Sequence, residues 1–590
     1  MSNRSFGNDR TESNTFYPRQ FGTRGAITAE HYLAAQAGME VMRSGGNAVD
    51  GAIAATLVEG VVNPQMHTIG GECPMLICMA GSNQVVSVNG NTAAPERATP
   101  EAFRSRGLND LPDEGILVAG VPAAFGALVT ALMKYGTLPF ADVAAHATYL
   151  ARNGFPVHRG LLRQPRYGLI ALETKLPKIY PGSAALYLPG GRAPAEGGLL
   201  RNLALANVYD DLVQRERRTF GTRQRKLRAV LDGFYRGDVA LEIDRFCREH
   251  DGFLALSDLE RFETHIEAPA QIDFHGSTVF KCGFWNQGPV LLQSLAILER
   301  FDLQGLGHNS PDYWHLLIEA MKLAFADREQ YYGDPLQVKV PAEGLLSKTY
   351  AIRRAALIDP RRASAELRPG DPWSGEPLLP PEQVFRPFPW GAGTVHVDAI
   401  DEKGNFCAFT PSGAWLRSNE VIPNLGFPLG NRLQTFYLDP ANHPNRVAPF
   451  RRPRTTISPS LAFRGGKPWL AFGSMGGDMQ DQWQLQFFLN RAVFGMTLQE
   501  AIEAPKLSSE AFPAFFHPKQ PVPNRVRIEP RVPQAVRDEL ARRGHDLEMA
   551  GDWTEGYLLA AERLANGVIE AGADPRGFKS DVFPACALTW

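Results

Sequence analysis

Thr394 follows Gly391-Ala392-Gly393 and opens the stretch TVHVDAID, whose alternation is that of a strand. Its hydroxyl is a weak nucleophile unless a base stands beside it. A chain cut immediately before Thr394 would supply that base as its own new α-amine. Gly393, without a side chain, leaves the hydroxyl room to reach the preceding carbonyl. Further along, Gly476-Gly477 separates a strand-like run from a helical one in KPWLAFGSMGGDMQDQWQLQFFLNRAVF. Free N–H groups at a helix start, with glycines allowing close approach, suit a developing oxyanion. A threonine that begins a strand is structural in most proteins, so these residues alone leave the choice open.

Other chemistries find less support. There is no G-x-x-x-x-G-K-[ST] phosphate loop, H-E-x-x-H, G-x-S-x-G or strand-linked G-x-G-x-x-G. The six cysteines are scattered, with no C-x-x-C and no histidine at zinc spacing, so they read as reduced structural thiols. No metal and no cofactor is expected.

The elements that must position Thr394 can be read from periodicity. AEHYLAAQAGMEVMRSGGNAVDGAIAATLVEGVVNP describes two largely buried helices broken at Gly45-Gly46, with Asn47 capping the second. CPMLICMA and QVVSVNG are strand-like, and FADVAAHATYLARNG is helical. The uncharged run Ile116 to Met133 is long enough to attract a membrane reading. Its Pro122 favours a buried helix beginning there instead. Pro369 through Pro389 holds seven prolines, a long loop signature. TVHVDAID and NFCAFT then form a hairpin about Lys403-Gly404-Asn405, with Thr394 opening its first strand.

Composition is that of a globular protein, 44% hydrophobic and 21% charged, and the net charge of -2 gives no reason to expect a nucleic-acid partner. The basic run Arg215 to Arg228 reads as a solvated helix face. Residues 1–25 are polar without an apolar signal core, which predicts a disordered arm and a cytoplasmic location, with no membrane partner.

Across nearly everything after that arm the chain resembles the γ-glutamyltransferases, self-cleaving N-terminal-nucleophile hydrolases. The stretches that carry the likeness include GGNAVDGAIAATL, GVVNPQMHTIGGECPMLI, GVPAAFGAL, EAMKLAFADREQYYGDP, GTVHVDAIDEKGN, RPRTTISPSLAF and GSMGGDMQDQWQLQ, in that order. The resemblance implies an α+β fold, a four-layer αββα sandwich. It also implies one precursor cut into a large subunit, 26–393 after the arm, and a small subunit, 394–590. The two fragments would associate, and a dimer of such heterodimers stays open. By position, Thr394 is the implied nucleophile and Ser412 the hydroxyl that bonds its amine. Gly476 and Gly477 are the implied oxyanion glycines, and Thr455 and Thr456 replace a serine pair that contacts substrate.

Two departures matter. Where the family reads glutamate with the arginine of Arg-Glu-x-Ala-Pro, this chain has Asn91-Thr92-Ala93-Ala94-Pro95. Where it uses the aspartate of Asp-Asp-Phe, this chain has Gln434-Thr435-Phe436. Losing a bidentate arginine and a paired carboxylate removes several kcal/mol, to order of magnitude, of orientation and binding. The expected small-molecule substrate is therefore not a γ-glutamyl compound. GFPLGNRLQTF with GGDMQDQWQLQ resembles the branch that includes oxamate amidohydrolase and natural-product relatives, which implies a small oxalyl-type acyl group. Arg432 is the nearest candidate for a substrate carboxylate, a surface or inter-subunit ion pair being the other reading. His67 reads as part of a structural turn and His396 as a strand position, with acid–base roles left open for both. A γ-glutamyl hydrolase or transpeptidase, an uncut binding protein, and cleavage of a C–C bond beside an activated carbonyl are the alternatives.

Overall fold

The computed structural model describes residues 15–164, 167–374, 376, 393–516, 519–580 and 582–590. Of the proline-rich loop read as 369–389, residues 375 and 377–389 lie outside the described residues.

Two seven-stranded sheets stack face to face. The first runs, in spatial order, Cys586–Thr589, Gly25–Ala29, Val397–Asp401, Phe406–Phe409, Met75–Cys78, Val85–Asn89 and His265–Glu267. The second runs Gln20–Gly22, Ile569–Ala573, Leu558–Arg563, Lys467–Ser474, Ser460–Arg464, Ser277–Lys281 and Ala270–Phe274. Every pairing within these two sheets is antiparallel. Their facing sides share one apolar layer that includes Leu76, Ile400, Phe406, Leu461, Ala471 and Ala561. Helices cover both outer faces, Tyr32–Arg43, Ala48–Val62, Ala124–Tyr135 and Phe140–Asn153 among those on the first. Pro289–Leu298, Pro311–Tyr331 and Met479–Ala492 cover the second. This is the αββα sandwich.

Both sheets mix strands from before and after residue 393. Val397–Asp401 lies between Gly25–Ala29 and Phe406–Phe409, and Ser460–Arg464 pairs with Ser277–Lys281. A cut at 393/394 therefore leaves two fragments that share hydrogen-bonded sheets and a common core, so one fragment cannot leave without exposing both.

The helix pair read from the sequence is present. Asn47 Oδ1 accepts from the N–H groups of Val49 and Asp50, while Asp50 Oδ2 accepts from Asn47 N–H. Ala48–Val62 is buried on every side, as a helix apolar on most faces is expected to be, with Asp50, Thr56 and Glu59 buried in it as well. The uncharged run gives the helix Ala124–Tyr135, beginning two residues after Pro122. Among the described residues no helix is long and apolar enough to cross a membrane. All six cysteines are unpaired, and five are buried.

Two expectations are corrected. The arm is shorter than residues 1–25: Gln20–Gly22 pairs with Ile569–Ala573, and Arg19 makes two bonds to the buried Glu570 carboxylate at 2.8 and 2.7 Å. An arginine fork on a buried carboxylate, with an edge strand to extend, orders a polar segment that composition alone makes look solvated. Residues 1–14 lie outside the described residues. In addition, the first hairpin strand begins at Val397, and Thr394 meets Ser412 through an isolated bridge before it.

The fully buried helix carries one carboxyl with a measurable consequence. Burial pushes Glu59 up to about 8, against bonds it accepts from Asn63 Nδ2 at 2.6 Å and His31 N–H at 2.8 Å. The folded chain thus keeps a proton that the unfolded chain releases between about pH 4.5 and 8, so stability falls as pH rises through that window. Glu59→Gln is expected to remove part of that slope, with a ceiling of about 4 kcal/mol between pH 5 and 8. Denaturation midpoints of both proteins at the two pH values check it.

Candidate active site

Thr394 is 2% exposed and its hydroxyl oxygen lies 3.1 Å from Ser412 Oγ. Ser412 is held on its other side by Glu72, through backbone bonds of 2.8 and 2.9 Å in both directions. After Ser412 the chain turns through two residues in the left-handed region, Gly413 (φ 80) and Ala414 (φ 48). That conformation is unfavourable for alanine, so the surrounding structure must enforce it. Its result is that Trp415 comes back onto residue 393: the indole Nε1 donates to Gly393 O at 2.7 Å and lies 3.0 Å from Met66 O. Ser412 Oγ donates to the same Gly393 carbonyl at 2.8 Å. A Cβ on residue 393 would stand 2.5 Å from Gln65 O and 2.7 Å from Met66 Cα, so only glycine fits.

Arg432 reaches this cluster from a short 3-10 turn, Arg432–Thr435. Its Nη2 lies 3.0 Å from Glu72 Oε2 and 3.2 Å from Ser412 Oγ, with both charged side chains almost fully buried. Burial pushes the Glu72 carboxyl above the usual carboxylate range, and the guanidinium opposes it. Arg432 thus forms a buried ion pair bridging the two sides of the 393/394 junction, beside the Ser412 that Thr394 meets.

The Gly-Gly turn joins Lys467–Ser474 to the helix Met479–Ala492. Gly476 has φ 118, and a Cβ there would stand 2.5 Å from the Trp483 ring. Among the described residues the N–H groups of Gly476 and Gly477 donate to no protein acceptor, whereas their carbonyls accept from Met479 and Gln480. Those two donors remain available for an anion at a helix start. Val395 shares a buried cluster with Met475 and Met479, and Phe516 lies between Gly477 and Trp415. The residue after Thr394 and the residues flanking the turn therefore belong to one buried apolar cluster.

The remaining expected residues divide. Asn91 spends its Nδ2 on Pro453 O, and the Thr435 hydroxyl donates to Arg432 O at 2.8 Å, so both brace the backbone. Thr455 Oγ1 is 3.4 Å from Ile457 N, and Thr456 is buried next to it. His67 contacts the carbonyl of Ser412 with its Nδ1 at 3.4 Å, and burial pulls its pKa to about 3, leaving it neutral. His396 spends one ring nitrogen on Thr410 Oγ1 at 2.9 Å and the other on Asp398 Oδ1 at 2.8 Å. Neither histidine is placed as the base for Thr394. Among the described residues no cluster could hold a metal ion. Sequence reasoning missed Glu72 and Trp415. The only signal for Trp415 was an indole three residues after Ser412, and a buried indole N–H needs an acceptor.

Comparison with known proteins agrees with this geometry. The Gamma-glutamyltranspeptidase family profile matches residues 34–582. The chain is 31% identical to Acylase ACY 1 proenzyme of Pseudomonas sp. (strain SE83), covering 94% of this chain and 91% of that one. It is 28% identical to Oxamate amidohydrolase proenzyme of Klebsiella pneumoniae, covering 94% and 97%. Among solved structures, LmbA2991HD superposes with a TM-score of 0.91 at 39% identity over 97% of this chain and 99% of the other. Cephalosporin acylase from Bacillus halodurans does so with 0.84 at 29% over 100% and 99%. The chain belongs to the gamma-glutamyltranspeptidase family of N-terminal-nucleophile hydrolases, enzymes made as one precursor and cut into two fragments that stay together.

Proposed function

We propose that Thr394 is the nucleophile, freed by cleavage of the Gly393–Thr394 bond, and that it carries a small oxalyl-type acyl group which water then removes. The Thr394 hydroxyl would attack the acyl carbonyl with its own α-amine as base. The Gly476 and Gly477 N–H groups would hold the oxyanion, and water would release the acid. The observation that carries the reading is the contact of Thr394 with Ser412 beside buried Arg432. The choice of a small acyl group rests on Asn91 and Thr435, neutral residues where glutamate would need charged partners, and on the likeness to an oxamate amidohydrolase. Cleavage of a C–C bond beside an activated carbonyl would pass through the same acyl-enzyme.

The test compares acyl donors on the processed protein. Oxamate is expected to be hydrolysed with a kcat/KM at least about 100-fold above that for γ-glutamyl-p-nitroanilide, the size of a lost charged contact of about 3 kcal/mol. Equal rates would return the enzyme to glutathione-type donors. The two family names, glutathione hydrolase and oxamate amidohydrolase, are both carried by relatives at nearly the same identity, so the donor comparison decides between them.

A further inference from the structure

Processing must break the Gly393–Thr394 peptide bond, and the oxygen of its carbonyl is bracketed by two donors, Trp415 Nε1 at 2.7 Å and Ser412 Oγ at 2.8 Å. We propose that Trp415 is a catalytic residue of the self-cleavage, its indole N–H being one of two donors of an oxyanion site used only in that step. The proposal rests on the reading of Thr394 as the nucleophile.

The hydrogen-bond directions are consistent. Ser412 has one proton, and donating it to Gly393 O leaves its oxygen to accept from Arg432 Nη2 at 3.2 Å and from the Thr394 hydroxyl at 3.1 Å. A guanidinium bonded to Ser412 Oγ makes its O–H the stronger donor toward a developing charge. When Thr394 Oγ1 bonds to the Gly393 carbonyl carbon, the C=O electron pair moves to the oxygen that Trp415 and Ser412 already hold. The C–N bond to Thr394 then breaks, and the hydroxyl proton ends on that nitrogen, leaving an ester and a free amine. Water finishes the step: its OH joins Gly393 as a carboxylic acid, and its hydrogen returns to Thr394 Oγ1.

The positions of the two oxyanion sites explain why there are two. In processing, the attacked carbonyl is tethered to Thr394's own nitrogen and lies over Ser412 and Trp415. The free N–H groups of Gly476 and Gly477, on the other element, are left for an acyl group that arrives from outside. The positive φ values at Gly413 and Ala414 have the matching role of turning Trp415 back onto residue 393.

Trp415→Phe keeps a ring, though a smaller one, in the cluster with Phe515 and Phe516 and removes the donor, together with its contact to Met66 O. Conversion of the precursor to fragments 1–393 and 394–590, followed by intact mass, is expected to slow by about 100- to 1000-fold at an unchanged cut site. Hydroxylamine, which cleaves an ester, should leave the slowed rate nearly unchanged, because the missing donor acts before the ester forms. Fold loss is separated by the melting of T394A and T394A/W415F, both of which remain uncut. Similar melting with slow cutting supports the proposal. A collapse of the double variant, or a Trp415→Phe precursor that cuts at the wild-type rate, overturns it. A wild-type chain that is never cut at 393/394 would instead overturn the reading of Thr394.

Discussion

Thr394→Ala is expected to leave one chain of 64.9 kDa where the unaltered protein gives fragments 1–393 and 394–590, and to abolish turnover. The size of the loss follows from what the hydroxyl does. On the proposed mechanism it is the atom that bonds to carbon in both processing and catalysis, and deleting a nucleophile in comparable machinery costs about four to six orders of magnitude in kcat. Structure should hardly change, since the side chain loses a hydroxyl and a methyl group in a site with one hydroxyl partner, Ser412. Thr394→Ser makes the complementary case. It keeps the oxygen but loses the β-branch that restricts χ1, so it should cut more slowly, at the same bond, and retain part of the activity. Intact mass under denaturing conditions, with N-terminal sequencing of the small fragment, reads both variants. A Thr394→Ala chain that is still cut there would remove Thr394 from the mechanism.

Glu72→Gln is expected to have the largest effect on stability, and for a different reason. Glu72 and Arg432 are 360 positions apart in sequence, and their side chains are 1% and 3% exposed. Removing one charge of a buried pair strands the other, and such changes cost about 3–5 kcal/mol. The neutral amide preserves volume, so the loss reports charge and not packing. The comparison belongs on the uncut Thr394→Ala background, where association of fragments does not add a concentration dependence. A melting temperature lowered by several degrees is the expected reading. Replacing both residues, as Glu72→Met with Arg432→Met, should recover much of that loss, because apolar groups of similar volume can replace a buried pair. With Thr394 restored, the same double change should still impair cutting, since Ser412 loses the guanidinium bonded to its oxygen. Recovery of stability without recovery of processing separates the two roles of Arg432. If Glu72→Gln melts with the parent, the pair contributes nothing to stability.

Local rules were legible in this sequence where the cause is local. A cap such as Asn47 needs only its next three residues, a helix apolar on most sides such as Ala48–Val62 belongs inside, and a glycine pair before a helix is visible as letters. The hairpin after Thr394 was legible because its strands and turn are close in sequence, whereas Ser412, 18 positions on, was reached only through the family likeness. What the residues by themselves left undecided was whether Thr394 was chemical or structural, and the family likeness, not periodicity, pointed to chemistry.

The tertiary structure decided what depends on chain segments far apart. It put Glu72 against Arg432, which no spacing rule could pair, and it closed Trp415 onto Gly393 through a turn whose Ala414 is in a region alanine avoids. It also ordered Gln20–Gly22 on a sheet edge that is formed almost 550 residues later. Conversely, it withdrew His67 and His396 from acid–base candidacy, because burial and occupied ring nitrogens are properties of surroundings, not of the residue. Sequence alone determined which atoms could react and which elements would carry them. Tertiary structure determined which charges and donors those atoms meet, since that depends on through-space distance and desolvation, which no linear pattern encodes.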